Sequence, residues 1–314
     1  MGANALLCDL SVAPVLSLAT TRDGGRPENI RRYECASRDA FDDAVRDYIK
    51  DVCGAPAAVA IAARGWQQRE KLHLDGVGFD LNRGDIRTLA GVLRISFVNN
   101  FVARALAVPR LARTDRQPIV DADIADDSVI AVLGPHYGLG LATLVSKGDG
   151  GWTALNGEGG HSDLPVRTER EWRLVEAIRA RTGYVCREDG LSVAGLGEIW
   201  TALHVIAGDT PPPMTADEIV LAARGGHPRA VETLEIMTLW LADLASDVAL
   251  ILGATGGVYL TGALMDMTGD LFDADTFRTR YLDKGPRAEY VRGVPVFRTA
   301  AVDMELAGLA TLFE

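Results

Sequence analysis

The chain has 314 residues, 48% of them hydrophobic, 24% charged and 6% aromatic, which excludes disordered, fibrous and membrane-embedded classes and suggests two domains. Thirty-two Lys and Arg against 43 Asp and Glu leave a net charge of −11, which disfavours docking on nucleic acid or on anionic membranes. Cys8, Cys35, Cys53 and Cys186 form no CxxC pair, so the residues offer neither a zinc knuckle nor a thioredoxin-like site, and their scatter predicts buried thiols in a reducing cytoplasm.

The N-terminal stretch lacks a basic region, meets Asp9 at once and does not read as a signal peptide. Residues 37–52 place Phe41, Val45, Tyr48, Ile49 and Val52 on one helical face. Ala57–Ala63 reads as a buried strand, and Arg94–Asn100 as a second strand running into a short helix stopped by Pro109. Ser128–Gly134 predicts a strand opening a glycine-rich turn to Gly140. Leu141–Ser146 and Trp152–Leu155 predict a hairpin around residues 147–151. Thr168 and Glu171 predict a capping box for a helix that buries Trp172, Val175 and Ile178 and ends at Gly183. A helix follows through Ile199, Leu203 and Ile206. Pro211–Pro213 is a stiff connector to a second capping box, Thr215 to Glu218. Pro228 to about Leu252 reads as one long helix and Val258–Thr261 as a strand ending at Gly262. The uncharged run Val248–Met265 is therefore a helix end, turn, strand and glycine loop rather than a membrane span. Strands interleaved with helices predict the α/β class, with a smaller N-terminal and a larger C-terminal domain around a cleft.

The common nucleotide motifs fail: there is neither a Gly-Lys dipeptide nor a GxGxxG after a strand. Gly190-Leu-Ser192-Val-Ala194 approaches a nucleophile elbow but ends on Ala. The informative segment is Asn156-Gly-Glu158-Gly-Gly160-His161-Ser-Asp163, a carboxylate and an imidazole three apart among glycines that allow close approach of backbone to ligand. Asp163 reads as a structural residue of that loop.

This block, together with VIAVLGPHYGLGLATLV, YVCREDGLSVAGLGEIWTAL and ILGATGGVYLTGAL in that order, resembles the bacterial glucokinase family over nearly the whole chain. The cysteine cluster of the related repressor–kinase branch is missing. The resemblance implies a two-domain actin-like sugar-kinase fold with residues 1–109 plus about 298–314 in the small domain and 110–297 in the large one. It implies transfer of the ATP γ-phosphoryl group to the glucose 6-hydroxyl with Mg²⁺, and a cytoplasmic homodimer. Carried over by position, Asn99, Asn100, Glu158, His161 and Glu188 match the sugar ligands. Gly134, Tyr137, Gly138 and Gly140 match the second phosphate loop, and Gly256, Gly257 and Gly262 the adenosine-side loop.

The departures cluster at the phosphoryl end. The family strand ends Asn-Asp-Phe, its Asp taking the proton of the attacking hydroxyl; here Asn99-Asn100-Phe101 places a non-basic amide there. The family's first strand and Asp-x-Gly-Gly-Thr-Asn loop are compared with Met1–Asn4. Gly2 and Asn4 then match, Ala3 replaces the Thr, and the Asp and the strand are expected to be missing, as a start assigned downstream of the native one would make them. Tyr137 replaces a small hydroxyl in the second loop, and Leu74 is read in place of a sugar-contacting Asn. The expectation is a sugar-binding protein, catalytically weak or silent. An active hexose kinase with an atypical site and a non-catalytic regulatory protein are the alternatives.

Overall fold

The computed structural model describes residues 4–12, 14–126, 128–148, 150–299 and 301–314. They form two compact units, residues 1–111 with 301–314, and residues 112–300.

The first unit is built on a five-stranded sheet of β1 (Asn4–Leu10), β2 (Val15–Arg22), β3 (Glu28–Glu34), β4 (Ala58–Ala63) and, beyond a small three-stranded sheet of β5 (Gly65–Gln68), β6 (Lys71–Leu74) and β7 (Asp80–Asn82), β8 (Arg94–Asn99). Its order is β3-β2-β1-β4-β8, with an antiparallel meander β1–β3 and parallel β1, β4 and β8. β4 is buried at every position, as a central parallel strand requires. Helices α1 (Arg38–Tyr48) and α2 (Arg83–Ala90) precede α3 (Asn100–Ala107). α1 starts on Ser37, whose hydroxyl accepts from the Ala40 amide, and runs into a π-turn at Ile49–Cys53.

The period-2 alternation of β1 decides what each face carries. Leu6, Cys8 and Leu10 join Phe41, Val45 and Ile86 in one core, while Leu7 faces the opposite way. Asp9 alternates onto the side of Leu7.

The second unit repeats the pattern. β9 (Arg116–Val120), β10 (Val129–Pro135), β11 (Leu139–Ser146), β12 (Trp152–Gly157), β13 (Val258–Leu260) and β14 (Val296–Thr299) form a sheet ordered β12-β11-β10-β13-β14-β9. Again an antiparallel meander, β10–β12, is followed by two strands parallel to its first member. Between β12 and β13 come α4 (Glu169–Thr182), α5 (Val193–Ile206), α6 (Ala216–Arg224) and α7 (Pro228–Leu252). Then α8 (Ala263–Thr268), α9 (Ala274–Leu282) and α10 (Ala288–Arg292) precede β14. Helix α11 (Met304–Ala310) belongs to the first unit, packing Leu306, Leu309 and Ala310 with Ala103 of α3 against Leu7 and Ala60. No helix of the described residues is long and apolar enough to cross a membrane.

α4 corrects one expectation. Its inner face is Glu171, Leu174, Val175 and Ile178, and Trp172 is exposed. The carboxylate goes inside because it is paired: Glu171 accepts from the Arg167 amide at 2.8 Å and from Arg280 at 2.9 Å. Thr168 still caps the helix, but the reciprocal arm reaches residue 167 instead of 168. The Thr215–Glu218 box forms reciprocally. Ser192, the residue of the incomplete elbow, is buried and caps α5 by accepting from the Gly195 amide at 2.9 Å.

α3 and α11 cross so closely that a Cβ on Gly308 would overlap the Ala103 carbonyl. Gly308→Ala is expected to destabilise the protein by about 2–3 kcal/mol through overpacking, measured by urea unfolding; an unchanged midpoint would mean the two helices can separate freely.

Candidate functional site

The family's opening loop sits between its first two strands, and in this chain that connection is Asp9-Leu10-Ser11-Val12-Ala13-Pro14. The first strand is therefore present as β1, in the centre of its sheet, and it ends on an aspartate. Comparison with Met1–Asn4 was misplaced. Asn4 begins β1, its Nδ2 donating to the Cys53 carbonyl at 2.8 Å, and Gly2 lies outside the described residues. The β1–β2 turn holds the same topological place as the β10–β11 turn of the other unit, where the residues matched to the second phosphate loop lie.

What differs is the loop itself. Ser11 and Val12 replace two glycines, and Pro14 removes an amide. The Ser11 amide donates to Asp9 Oδ1 at 2.9 Å, the Ser11 hydroxyl donates to the same oxygen, and the Val15 amide donates to the Val12 carbonyl at 2.8 Å. A phosphate cradle works by aiming free amides at anionic oxygens, and these are spent on their own loop.

Burial and the neighbouring Glu305 carboxylate push Asp9 up to about 6, against the Ser11 hydrogen bonds and Arg104. Arg104 is itself paired with Glu305 at 2.8 Å.

At the end of β8, Asn99 caps α3: its Oδ1 accepts from the Phe101 amide at 2.9 Å and the Val102 amide at 3.3 Å. Only its NH₂ is left to meet a ligand. Asn100 is the first residue of α3 and half-buried, so the strand ends one residue earlier than the sequence reading has it. Leu74, read in place of a sugar-contacting Asn, is a core residue here. The β6 alternation buries Leu72 and Leu74 and turns His73 outward to stack on Trp66 at 4.1 Å.

In the second unit the turn bearing Glu158 and His161 and the turn bearing Glu188 both pack on one residue, Leu139. Glu158–His161 forms a tight turn in which the His161 amide donates to the Glu158 carbonyl at 3.0 Å. A Cβ on Gly160 would lie 2.5 Å from the Leu139 carbonyl oxygen, and one on Gly159 would lie 2.8 Å from the Leu141 side chain. These glycines thus let the turn press against β11, where the sequence reading assigned them to ligand approach. From the other side, the Leu139 amide donates to Glu188 Oε2 at 2.8 Å, and a Cβ on Gly138 would lie 2.7 Å from that oxygen.

The two turns are also stitched to each other. The Arg187 amide donates to the Ser162 carbonyl at 2.9 Å, and Asp163 bridges to Cys186. The Tyr184 hydroxyl lies 2.6 Å from Asp163 Oδ1 and 3.1 Å from the His161 carbonyl. Glu158 and His161 are exposed, and Glu188 is half-buried. Carboxylates accept hydrogen bonds from hydroxyls and an imidazole can either donate or accept, so these residue types suit a polyhydroxyl ligand.

The glycines matched to nucleotide divide. Gly134 and Gly140 pair across β10 and β11, inside the strands, and the turn proper is residues 136–138. There the His136 amide donates to the Gly138 carbonyl at 2.7 Å, the Leu139 amide serves Glu188, and the Tyr137 ring is 55% exposed beside His136. Gly262 stands at the carboxyl end of β13, with φ +115° and no room for a Cβ against the Pro135 carbonyl. Gly256 and Gly257 stand at the opposite, amino end of β13. There a Cβ on Gly256 would strike Ile130 and the Val129 carbonyl, and Gly257 has φ +108°. Ligands of such sheets sit at carboxyl ends of strands, so Gly256 and Gly257 are strand-start packing and are withdrawn from the nucleotide set.

The described residues hold no cluster of three His, Cys, Asp or Glu placed for a metal. All four cysteines are free and buried, and burial raises the Cys186 thiol. Its Sγ lies 3.9 Å from His161 Nδ1.

Asp9 yields a pH test. The folded protein holds the Asp9 proton up to about pH 6 and the unfolded chain releases it near the ordinary carboxylate value. The stability this proton carries is therefore full below about pH 4 and lost as the pH rises through 6. Asp9→Asn should stabilise the protein by about 1–3 kcal/mol at pH 8 and hardly at all at pH 4. Urea melts at the two pH values check this, and an equal effect at both contradicts it.

A family model described as Glucokinase matches residues 13–314. The chain is 32% identical over 293 residues to the Glucokinase of Nitrobacter hamburgensis, covering 92% of this chain and 91% of that one. Among solved structures, a glucokinase from an Antarctic psychrotroph superposes with a TM-score of 0.89 at 24% identity, over 100% of this chain and 99% of that one. A Balamuthia mandrillaris glucokinase in complex with glucose gives 0.81 at 20%, over 98% and 93%. The architecture is the two-domain α/β fold of these sugar kinases. The chain belongs to the glucokinase family.

Proposed function

We propose that this protein binds a hexose of the glucose type through Glu158, His161 and Glu188, and that it phosphorylates that sugar weakly or not at all. The observation that carries the reading is a contrast between the two ends of the chemistry. The turns bearing Glu158, His161 and Glu188 are docked on Leu139 with their glycines at the required close contacts. In the Asp9–Pro14 loop, the Ser11 and Val15 amides are bonded to their own loop and Pro14 has none. Family membership and a glucose-bound neighbour support the sugar class.

Each role follows from functional-group chemistry. Ionised Glu158 and Glu188 accept from sugar hydroxyls, and His161 either donates or accepts through the ring nitrogen turned away from Cys186. Asn99, with its oxygen committed to the α3 cap, offers a donor. Asn100 stands where the family places its general base, and an amide cannot hold the hydroxyl proton; loss of such a base costs about 10²–10⁴ in rate. When bound, ATP with Mg²⁺ would supply the phosphoryl group. The residues present fit it poorly: Asp9 Oδ1 is engaged by Ser11, the His136 and Leu139 amides are spent, and Tyr137 brings a ring to the second turn. We therefore expect weak ATP affinity.

A coupled assay on the purified protein should give glucose phosphorylation at least 10²-fold below the typical enzyme turnover of about 10 s⁻¹. Asn100→Asp alone should not restore it, because the loops stay unsuited to phosphate. Full turnover in the parent, or full recovery in that variant, refutes the proposal.

Glucose should raise the melting temperature saturably, by the equivalent of about 2.7 kcal/mol at a hundredfold excess over Kd. Glu158→Gln and His161→Ala should remove that shift while still folding. A parent without any sugar-dependent shift favours the regulatory alternative.

A further inference from the structure

Glu188 sits on a three-residue turn, Arg187–Asp189, whose backbone alone does not fix it. The turn is squeezed between two helices. On the α5 side a Cβ on Gly195 would lie 3.0 Å from the Glu188 carbonyl oxygen, and on the α7 side one on Gly190 would overlap Trp240. Helix packing fixes its depth. Rotation is fixed by charge: Arg187 Nη2 bonds Asp247 Oδ2 at 2.8 Å, and Lys284 Nζ bonds Asp247 Oδ1 at 2.6 Å. The hydrogen bonds from Lys284 and Arg187 hold the Asp247 carboxyl below its ordinary value although burial works against them, so the anchor is an ionised one.

We propose that Arg187, held by Asp247, is the positioning residue of the sugar site: it sets the rotation at which the next residue, Glu188, meets the Leu139 amide and the ligand. The proposal rests on the reading of Glu188 as a sugar ligand. Arg187 Nε and Nη1 are buried without a hydrogen-bond partner. Unmet buried donors cost free energy, and a buried ion pair is itself weak evidence of stabilisation, so stability gives little reason for this arginine. What this guanidinium supplies is direction. It bonds Asp247 on α7, while the carboxylate of the next residue, Glu188, accepts from the Leu139 amide on β11. Lysine does not substitute, because an ammonium on a flexible stem does not hold the fixed direction of a rigid guanidinium bonded to Asp247 through Nη2 alone.

The test uses the full chain and reads amide exchange residue by residue, alongside glucose binding by calorimetry. Arg187→Lys and Asp247→Asn should both fold. Each should speed exchange of the Leu139 amide at least tenfold relative to the parent, while Val132 and Leu133 in β10 keep their protection. Each should also weaken glucose binding at least tenfold, or about 1.4 kcal/mol. Unchanged Leu139 exchange in both variants overturns the proposal, as does a rise shared equally by Leu139, Val132 and Leu133, which marks mere loss of stability. Full rescue of binding and exchange by lysine overturns it too. If the parent binds no hexose yet Leu139 exchange responds selectively, the positioning stands and the sugar reading fails.

Discussion

The amide of Leu139 donates to the carboxylate of Glu188, and the carbonyl of the same residue sits against Gly160. A single peptide position in β11 thereby receives both turns that carry the charged groups of the second unit. The strand can do this because it pairs with β10 from Leu139 onward and with β12 from Leu141 onward, so its start is held by a ladder the turns do not have to supply. The turns in turn need glycine at 138 and 160, where any Cβ would strike the partner. Adding a methyl at 160 would push Glu158 and His161 off the strand together, which is why the block carries two adjacent glycines without any ligand being required to explain them.

The same architecture occurs twice, an antiparallel meander followed by two parallel strands, and each copy has a turn after its first strand. The two turns have diverged in different ways. The turn of residues 136–138 spends one amide inside itself and gives the Leu139 amide to Glu188. The Asp9–Pro14 turn closes on its own aspartate and on Val12. An Asx-type closure of this kind is what Asp and Ser do when glycine no longer holds the backbone open. The Asp9 carboxylate thus takes its hydrogen bonds from its own loop, and burial beside Glu305 makes it a reluctant anion.

Sequence reading reached what local chemistry writes down. Pro228 at the first position and Gly253 past the end delimit α7, Thr215 and Glu218 cap α6, and Gly183 ends α4. Glu158, His161 and Glu188 were singled out by a motif, and the turn that bears the first two and the turn that bears the third both pack on Leu139. The failures have physical causes. The Asp9 loop was missed since every motif letter except the aspartate had changed, and only strand pairing shows that its place is kept. Gly256, Gly257 and Gly262 look alike in sequence, yet β13 separates them to opposite ends. Trp172 was expected inside because it is apolar, whereas Glu171 is inside because Arg280 and the Arg167 amide pay its desolvation. The Leu139–Glu188 bond spans 49 residues and leaves no local trace.

The acidic face of α7 extends the argument from the turn to the unit. Asp243 and Asp247 are four apart and so share one face. Asp243 takes Arg280 through both oxygens and Arg167 at 3.0 Å, and Arg280 continues to Glu171. Asp247 takes Arg187 and Lys284. One row of carboxylates therefore locks α4, α9 and the Glu188 turn to one helix. Such pairs add little net stability, because the desolvation of each charge offsets its attraction, but they are directional where apolar packing is not. Leucines and alanines along the rest of α7 supply the cohesion and tolerate small rotations. A carboxylate that must reach one amide at 2.8 Å does not, and Asp247, through Arg187, gives the turn that carries it a directional reference on this helix.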